Sequence, residues 1–108
     1  MPIINFDIGC RGLRSDVTKK YGYGLTVEGL QAANYYAADQ TTSEVAQKIR
    51  KPDKTFFWVG EKSRSFLFGQ QLFLHGGHTL IITEGEIDAL TVAQEVTDPR
   101  ACVVSLSD

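Results

Sequence analysis

Thr79-Leu80-Ile81-Ile82-Thr83 runs directly into Glu84-Gly85-Glu86-Ile87-Asp88-Ala89-Leu90, and a second apolar run, Cys102-Val103-Val104-Ser105-Leu106, follows. The first run is short and continuously apolar, the pattern of a strand buried on both faces. From Glu86 to Val96, Ile87, Leu90, Ala93 and Val96 recur near helical spacing, and Asp98-Pro99 ends that helix. The second run reads as another buried strand. Strand, helix and strand in this order predict a βαβ unit, with its strands parallel and its crossover right-handed. Two parallel strands alone leave unpaired edges and uncovered faces, so the pattern predicts the first half of an α/β domain.

Working back toward the amino terminus, the pattern changes. Leu13, Val17 and Tyr21 recur every four residues, which predicts a short helix. Ser15 is placed to cap it, and Asp16 lies in its first turn. Lys19 and Lys20 suit its last turn, and Gly22 or Gly24 can end it in a left-handed conformation. From Ala32 to Gly60 the sequence reads as strands. Asn34–Ala37 is aromatic, Asp39–Ser43 turn-like, Glu44–Arg50 alternating, and Thr55–Val59 β-branched and aromatic after the Pro52 break. A small antiparallel meander is the simplest arrangement. The fold class is therefore α+β, a small antiparallel part followed by a βαβ unit. His75-Gly76-Gly77-His78 sits where a turn is needed and has no third metal ligand nearby.

Composition excludes several classes. A chain of 108 residues, 43% hydrophobic and 22% charged, reads as one domain with a real core and not as a disordered chain. Cys10 and Cys102 form no CxxC pair, so a zinc ribbon or finger is excluded and no zinc is expected. A Cys10–Cys102 disulfide is possible, but Met1–Cys10 lacks the basic start of a secretory signal, which favours a reducing cytoplasm. No apolar run is long enough to span a membrane. The phosphate-binding pattern GxxxxGKS/T is absent, which excludes an ordinary P-loop ATPase. Ser105, Ser107 and the cysteines have no base partner in the sequence, so nucleophilic catalysis has no support.

The net charge of −2 conceals two opposed segments. Lys48 to Arg64 carries +4, and Glu84 to Asp108 carries −5. Such a pairing suits a protein that holds a polyanion together with a divalent metal, and equally two solvated faces. On a strand over 44–50, Lys48 and Arg50 share one face while Val45, Gln47 and Ile49 share the other. With Lys54 beyond Pro52, three cations could hold phosphates. Phe56, Phe57, Trp58, Tyr35 and Tyr36 could stack on bases or fill the core. Glu84 ends a strand, where ligands of open α/β sheets bind. Asp88 lies in the following first helical turn, so both carboxylates could face one crevice. A Mg²⁺ ion takes one or two carboxylates and completes its octahedron with waters and substrate phosphates. Acidic residues at a helix start are also favoured by the helix dipole, by ~0.3–1 kcal/mol.

Six motifs occur in order: Arg11-Gly12-Leu13, Tyr21-Gly22-Tyr23-Gly24, Gln47-Lys48-Ile49-Arg50, Lys54-Thr55-Phe56, Leu67-Phe68-Gly69, and Thr83 to Leu90, TEGEIDAL. The ordered set resembles the primase part of bacteriophage primase–helicases and of their mitochondrial helicase relative Twinkle, over nearly the whole chain. TEGEID alone would indicate only the Toprim fold, shared with topoisomerases, recombination proteins and OLD-type nucleases. The basic segment with Leu67-Phe68-Gly69 points to the primase–helicase branch. The resemblance implies a basic RNA-polymerase-like subdomain over 1–75 and a partial Toprim domain over 76–108. It implies Glu84 and Asp88 as catalytic, metal-associated residues, with Glu86 a weaker candidate. Lys48, Arg50 and Lys54 become contacts to nucleotide and template. The implied activity is a DNA primase's, a nucleotidyltransferase making short RNA primers on single-stranded DNA with Mg²⁺. The implied partners are the template, NTPs and the remainder of the primase–helicase or replisome, in the cytoplasm of an infected or bacterial cell. The family's later Asp-x-Asp pair does not occur here, which leads to the expectation of a fragment, or of a split or decayed gene product, inactive alone. The alternative is a non-catalytic single-stranded nucleic-acid-binding or assembly module, or another Toprim protein.

Overall fold

The computed structural model describes residues 1–9 and 12–107, and the readings that rest on Cys10, Arg11 and Asp108 lie outside these residues. Five strands form an antiparallel meander in sequence order: β1 (Ile3–Asn5), β2 (Tyr23–Thr26), β3 (Gln31–Tyr35), β4 (Ala46–Arg50) and β5 (Phe56–Gly60). The alternating segment forms β4 and the β-branched, aromatic segment β5 as their composition predicts, whereas of the aromatic Asn34–Ala37 only Asn34 and Tyr35 lie in β3, which begins earlier at Gln31. β1 and β2 are additions. Tyr23-Gly24 continues straight from the helix stop into β2, so one segment serves as both turn exit and strand.

Helix α1 (Ser15–Tyr21) lies between β1 and β2. Its cap differs from the expected one. Arg14 is the capping residue, with an extended backbone and no side-chain cap bond, and Ser15 is the first helical residue. The shift arises because the Arg14 carbonyl already accepts the Thr18 N–H at 3.2 Å. Gly22 ends the helix at φ 81, its N–H reaching the carbonyls of Thr18 and Lys19.

The register Ala33↔Lys48↔Trp58, with Gln31↔Arg50↔Phe56 and Tyr35↔Ala46↔Gly60, sets one face of the meander, because directly paired residues share a face. That face holds the centre of the core. Tyr21, Tyr23 and Tyr35 ring the fully buried Phe68, with centroids 5.5, 6.2 and 5.7 Å from its own.

The last segment pairs β6 (Thr79–Thr83) in parallel with β7 (Ala101–Ser105) across helix α2 (Glu86–Glu95). Phe68 joins this unit to the meander. Its N–H and carbonyl exchange hydrogen bonds with Ser105 at 3.1 Å each, while its ring sits among the tyrosines. Tyr21 adds a second tie by donating to the Val103 carbonyl at 2.8 Å. Burial pushes the Tyr21 hydroxyl up to about 12, with a smaller contribution from Cys102, so it remains a donor. Cys102 is a free, buried thiol. Residues on both sides of position 75, among them Tyr35, Phe68, Leu90 and Val103, share one core.

Gly69 makes this joint possible. It lies at φ 86, and a Cβ there would fall 2.4 Å from Tyr21 Cε2. One expectation fails here. β7 is buried, but β6 is not buried on both faces: Leu80 is 63% and Ile82 52% exposed. Continuous apolarity marked the strand correctly but not its surroundings, since α2 covers only the Ile81 face. His75 to His78 forms the connecting turn. No helix among the described residues is long and apolar enough to cross a membrane.

Candidate nucleic-acid interface

The basic strand and the acidic turn, far apart in sequence, are the two walls of one cleft of about 330 Å³. Strand alternation points Lys48 and Arg50 into it from β4. Lys54 enters from the β4–β5 loop, and Phe56 from the start of β5. Gly85, Glu86 and Asp88, at the start of α2, form the facing wall. The positive end of the helix dipole lies there.

Lys54 owes its position to a tight loop. The Lys51 N–H donates to the Thr55 carbonyl at 2.8 Å, and the Lys54 N–H to the Lys51 carbonyl at 3.0 Å. Asp53 accepts from the Thr55 N–H at 3.0 Å and the Thr55 hydroxyl at 2.6 Å. These hydrogen bonds hold its carboxyl below the usual carboxylate range. Lys54 itself adopts φ 72, a left-handed conformation that costs a non-glycine residue roughly 1–2 kcal/mol. The loop is closed tightly enough to impose it.

Lys48 occupies the floor of the cleft. Its Nζ lies 3.2 Å from Glu86 Oε2, and the two side chains are only 11% and 12% exposed. The Tyr35 hydroxyl donates to the same Glu86 oxygen at 2.5 Å. The Lys48 ammonium also stands 4.3 Å from the centroid of the Phe56 ring. By contrast, Arg50 and Lys54 are exposed, and neither forms an ion pair among the described residues. The three cations are therefore two free ones at the rim and one held at the base.

Of the two acidic residues singled out from the sequence, Asp88 lines the cleft and Glu84 does not. Both are exposed. Glu84 follows the end of β6, and Asp88 stands across the Gly85 turn, which the Thr83 hydroxyl steadies by donating to the Gly85 carbonyl at 3.0 Å. Glu86, the weaker candidate, is the carboxylate at the centre. Among the described residues no group of three or more His, Cys, Asp or Glu is arranged to hold a metal. Glu84 and Asp88 are exposed oxygen donors of the kind a Mg²⁺ ion takes alongside water and phosphate, and of the two only Asp88 lines the cleft. Glu86 could join such a site only by releasing Lys48. Sequence reasoning missed the support that the fully buried Tyr35 gives the cleft through Glu86. The aromatic signal of Tyr35 was visible, but its hydrogen bond to Glu86 depends on packing across 51 residues of chain.

Residues 6–60 match the family described as the bacteriophage T7 DNA helicase/primase N-terminal a+b fold. The chain belongs to this family. The match takes in α1, β2 to β5 and all three cleft cations, and begins just after β1. A DNA helicase/primase of Enterobacteria phage T3 is 42% identical over 103 residues, covering 93% of this chain and 18% of that protein. Among solved structures, the primase fragment of the bacteriophage T7 primase–helicase protein is 38% identical with a TM-score of 0.68, over 89% of this chain and 40% of that one. A second is described as T7 lagging-strand DNA polymerase interacting with primase domains of two gp4 subunits bound to an RNA/DNA hybrid and dTTP. It aligns at 39% identity and a TM-score of 0.71, over 90% of this chain and 43% of that one. The chain thus spans less than half the length of each of these relatives.

Proposed function

We propose that this chain forms part of a DNA primase of the primase–helicase type, which makes short RNA primers on single-stranded DNA by metal-dependent nucleotidyl transfer. The observation that carries this reading is the convergence of Lys48, Arg50 and Lys54 with Glu86 and Asp88 on one cleft. Family membership gives the context, and the T7 structure described with an RNA/DNA hybrid gives the ligand class. On this reading residues 1–75 form the basic subdomain and residues 76–108 the start of a Toprim fold. The template strand, NTPs and the remainder of a primase–helicase or replisome are the partners, in the cytoplasm of the infected cell.

The chemistry divides between the two walls. Arg50 presents a planar fork suited to two phosphate oxygens, and Lys54 a mobile point charge. Together they would hold backbone or triphosphate at the rim. Phe56 offers a ring on the same side of the cleft. Glu84 and Asp88 would hold Mg²⁺, which when bound neutralises phosphate charge and supports in-line displacement. The residues of this chain supply the orientation: cations on one wall, carboxylates on the other, and the incoming phosphates between them.

The test is binding of a single-stranded oligodeoxynucleotide across a salt series. With about three phosphates contacted, log K should fall against log salt with a slope near −2, at ~0.7 per contact for single strands. Arg50→Ala and Lys54→Ala should each weaken binding and flatten the slope by ~0.7. Calorimetric titration of Mg²⁺ in the presence of nucleotide should show a binding heat that Glu84→Gln or Asp88→Asn diminishes. Salt-independent binding, or binding indifferent to both basic substitutions, would remove the cleft from consideration.

A further inference from the structure

Among the described residues, Lys48 is the one cleft cation that is already engaged. Its Nζ is 3.2 Å from Glu86 Oε2, in surroundings where each side chain is about nine-tenths covered. A bound phosphate at the floor of the cleft would have to compete with that carboxylate. From these contacts we infer that Glu86 is a latch on Lys48, a positioning residue that withholds the ammonium until a phosphate group displaces it. The inference rests on the reading of the cleft as a phosphate site, and it deepens that reading.

Tyr35 makes an exchange feasible. Removing one partner from a covered ion pair ordinarily leaves an uncompensated charge, which is strongly unfavourable. Here the Tyr35 hydroxyl donates to the same Glu86 oxygen at 2.5 Å, so Glu86 keeps a charge-assisted hydrogen bond after Lys48 departs. The phosphate in turn gives Lys48 a new anion. Lys48 has a short way to move, since its ammonium already stands 4.3 Å over Phe56, which lines the cleft beside Arg50 and Lys54.

The experiment is a double-mutant cycle on binding. Affinities for an oligodeoxythymidylate and, separately, for ATP are measured for the unmodified chain, Glu86→Gln, Lys48→Gln and the double variant. Glu86→Gln keeps the shape and the acceptor for Tyr35 but releases Lys48. It should tighten binding roughly fivefold at low salt, the worth of one contact between unit charges in water. In the Lys48→Gln background that gain should disappear. A gain confined to the oligonucleotide assigns Lys48 to the strand backbone, and a gain confined to ATP assigns it to the triphosphate; either supports the latch. No gain, or an equal gain in both backgrounds, overturns it. A further measurement needs no substitution. The Lys48 ammonium nitrogen and proton signals of the unmodified chain should shift at saturating ligand, and unchanged signals would overturn the latch even if the variants failed to fold. The cleft is tested apart from this by Arg50→Ala with Lys54→Ala. If that pair weakens binding while the cycle is additive, the phosphate site stands and the latch falls.

Discussion

β6 and β7 are neighbours of nearly the same composition, paired residue by residue, yet their surroundings are opposite. Ile82 and Val104 are register partners on one face; Ile82 is 52% exposed and Val104 3%. The difference comes from the other side of β7. There Phe68 bonds to Ser105, and the segment carrying Leu67, Gln70 and Phe73 folds over Cys102 and Val104. β6 has no such neighbour among the described residues. Apolar sequence therefore records what a strand is suited to contact, and the tertiary partner decides which strand receives the contact.

The largest test of this contrast is the joint itself. Phe68→Ala should cost about 3–5 kcal/mol, the range for deleting a fully buried aromatic ring. Because the ring touches three tyrosines and its backbone holds β7, denaturant unfolding should lose stability for both regions together. Separate transitions, with the meander unaffected, would show that Phe68 does not join them.

A smaller effect sharpens the β6–β7 comparison directly. Val104→Ala should lower stability by roughly 1.5–3 kcal/mol, the burial worth of its side chain. Ile82→Ala removes more atoms, yet it should stay within about 0.5 kcal/mol in this chain, as exposed positions do. Equal losses in chemical denaturation would mean that Ile82 is covered in solution.

Lys54→Gly separates binding from folding on the basic wall. Relief of the left-handed conformation should leave the thermal midpoint unchanged or raise stability by up to about 1 kcal/mol. Oligonucleotide binding should nevertheless weaken, because the charge is gone. A lowered midpoint would make Lys54 a structural residue of the loop.

The smallest expected effect is on pH. The Asp53 carboxyl is depressed by its hydrogen bonds from Thr55. Its contribution to loop order is thus present above the ordinary carboxylate range and is lost as pH falls through the depressed value. The protection of the Thr55 amide, measured against its intrinsic exchange rate at each pH, should fall over that acidic window, and Asp53→Ala should lack that protection at all pH values. Protection that is indifferent to both would show that the loop closes without Asp53.

Much of this molecule was legible in its residues. The alternation of Lys48 and Arg50 against Gln47 and Ile49, the apolar runs of β6 and β7, and the periodicity of α2 are local patterns. Backbone geometry translates such patterns directly into which face or turn a side chain occupies. β2 was hidden because Tyr23-Gly24 also satisfies a helix stop, and the cap at Arg14 because a backbone carbonyl leaves no compositional trace. The pairing of Lys48 with Glu86 and Tyr35, the joint at Phe68, and the exposure of Leu80 and Ile82 were decided only by the tertiary structure. Each depends on segments remote in sequence approaching within hydrogen-bond or van der Waals range. Contact energies of that kind fall off over a few ångströms of space, whereas sequence patterns record only neighbours along the chain.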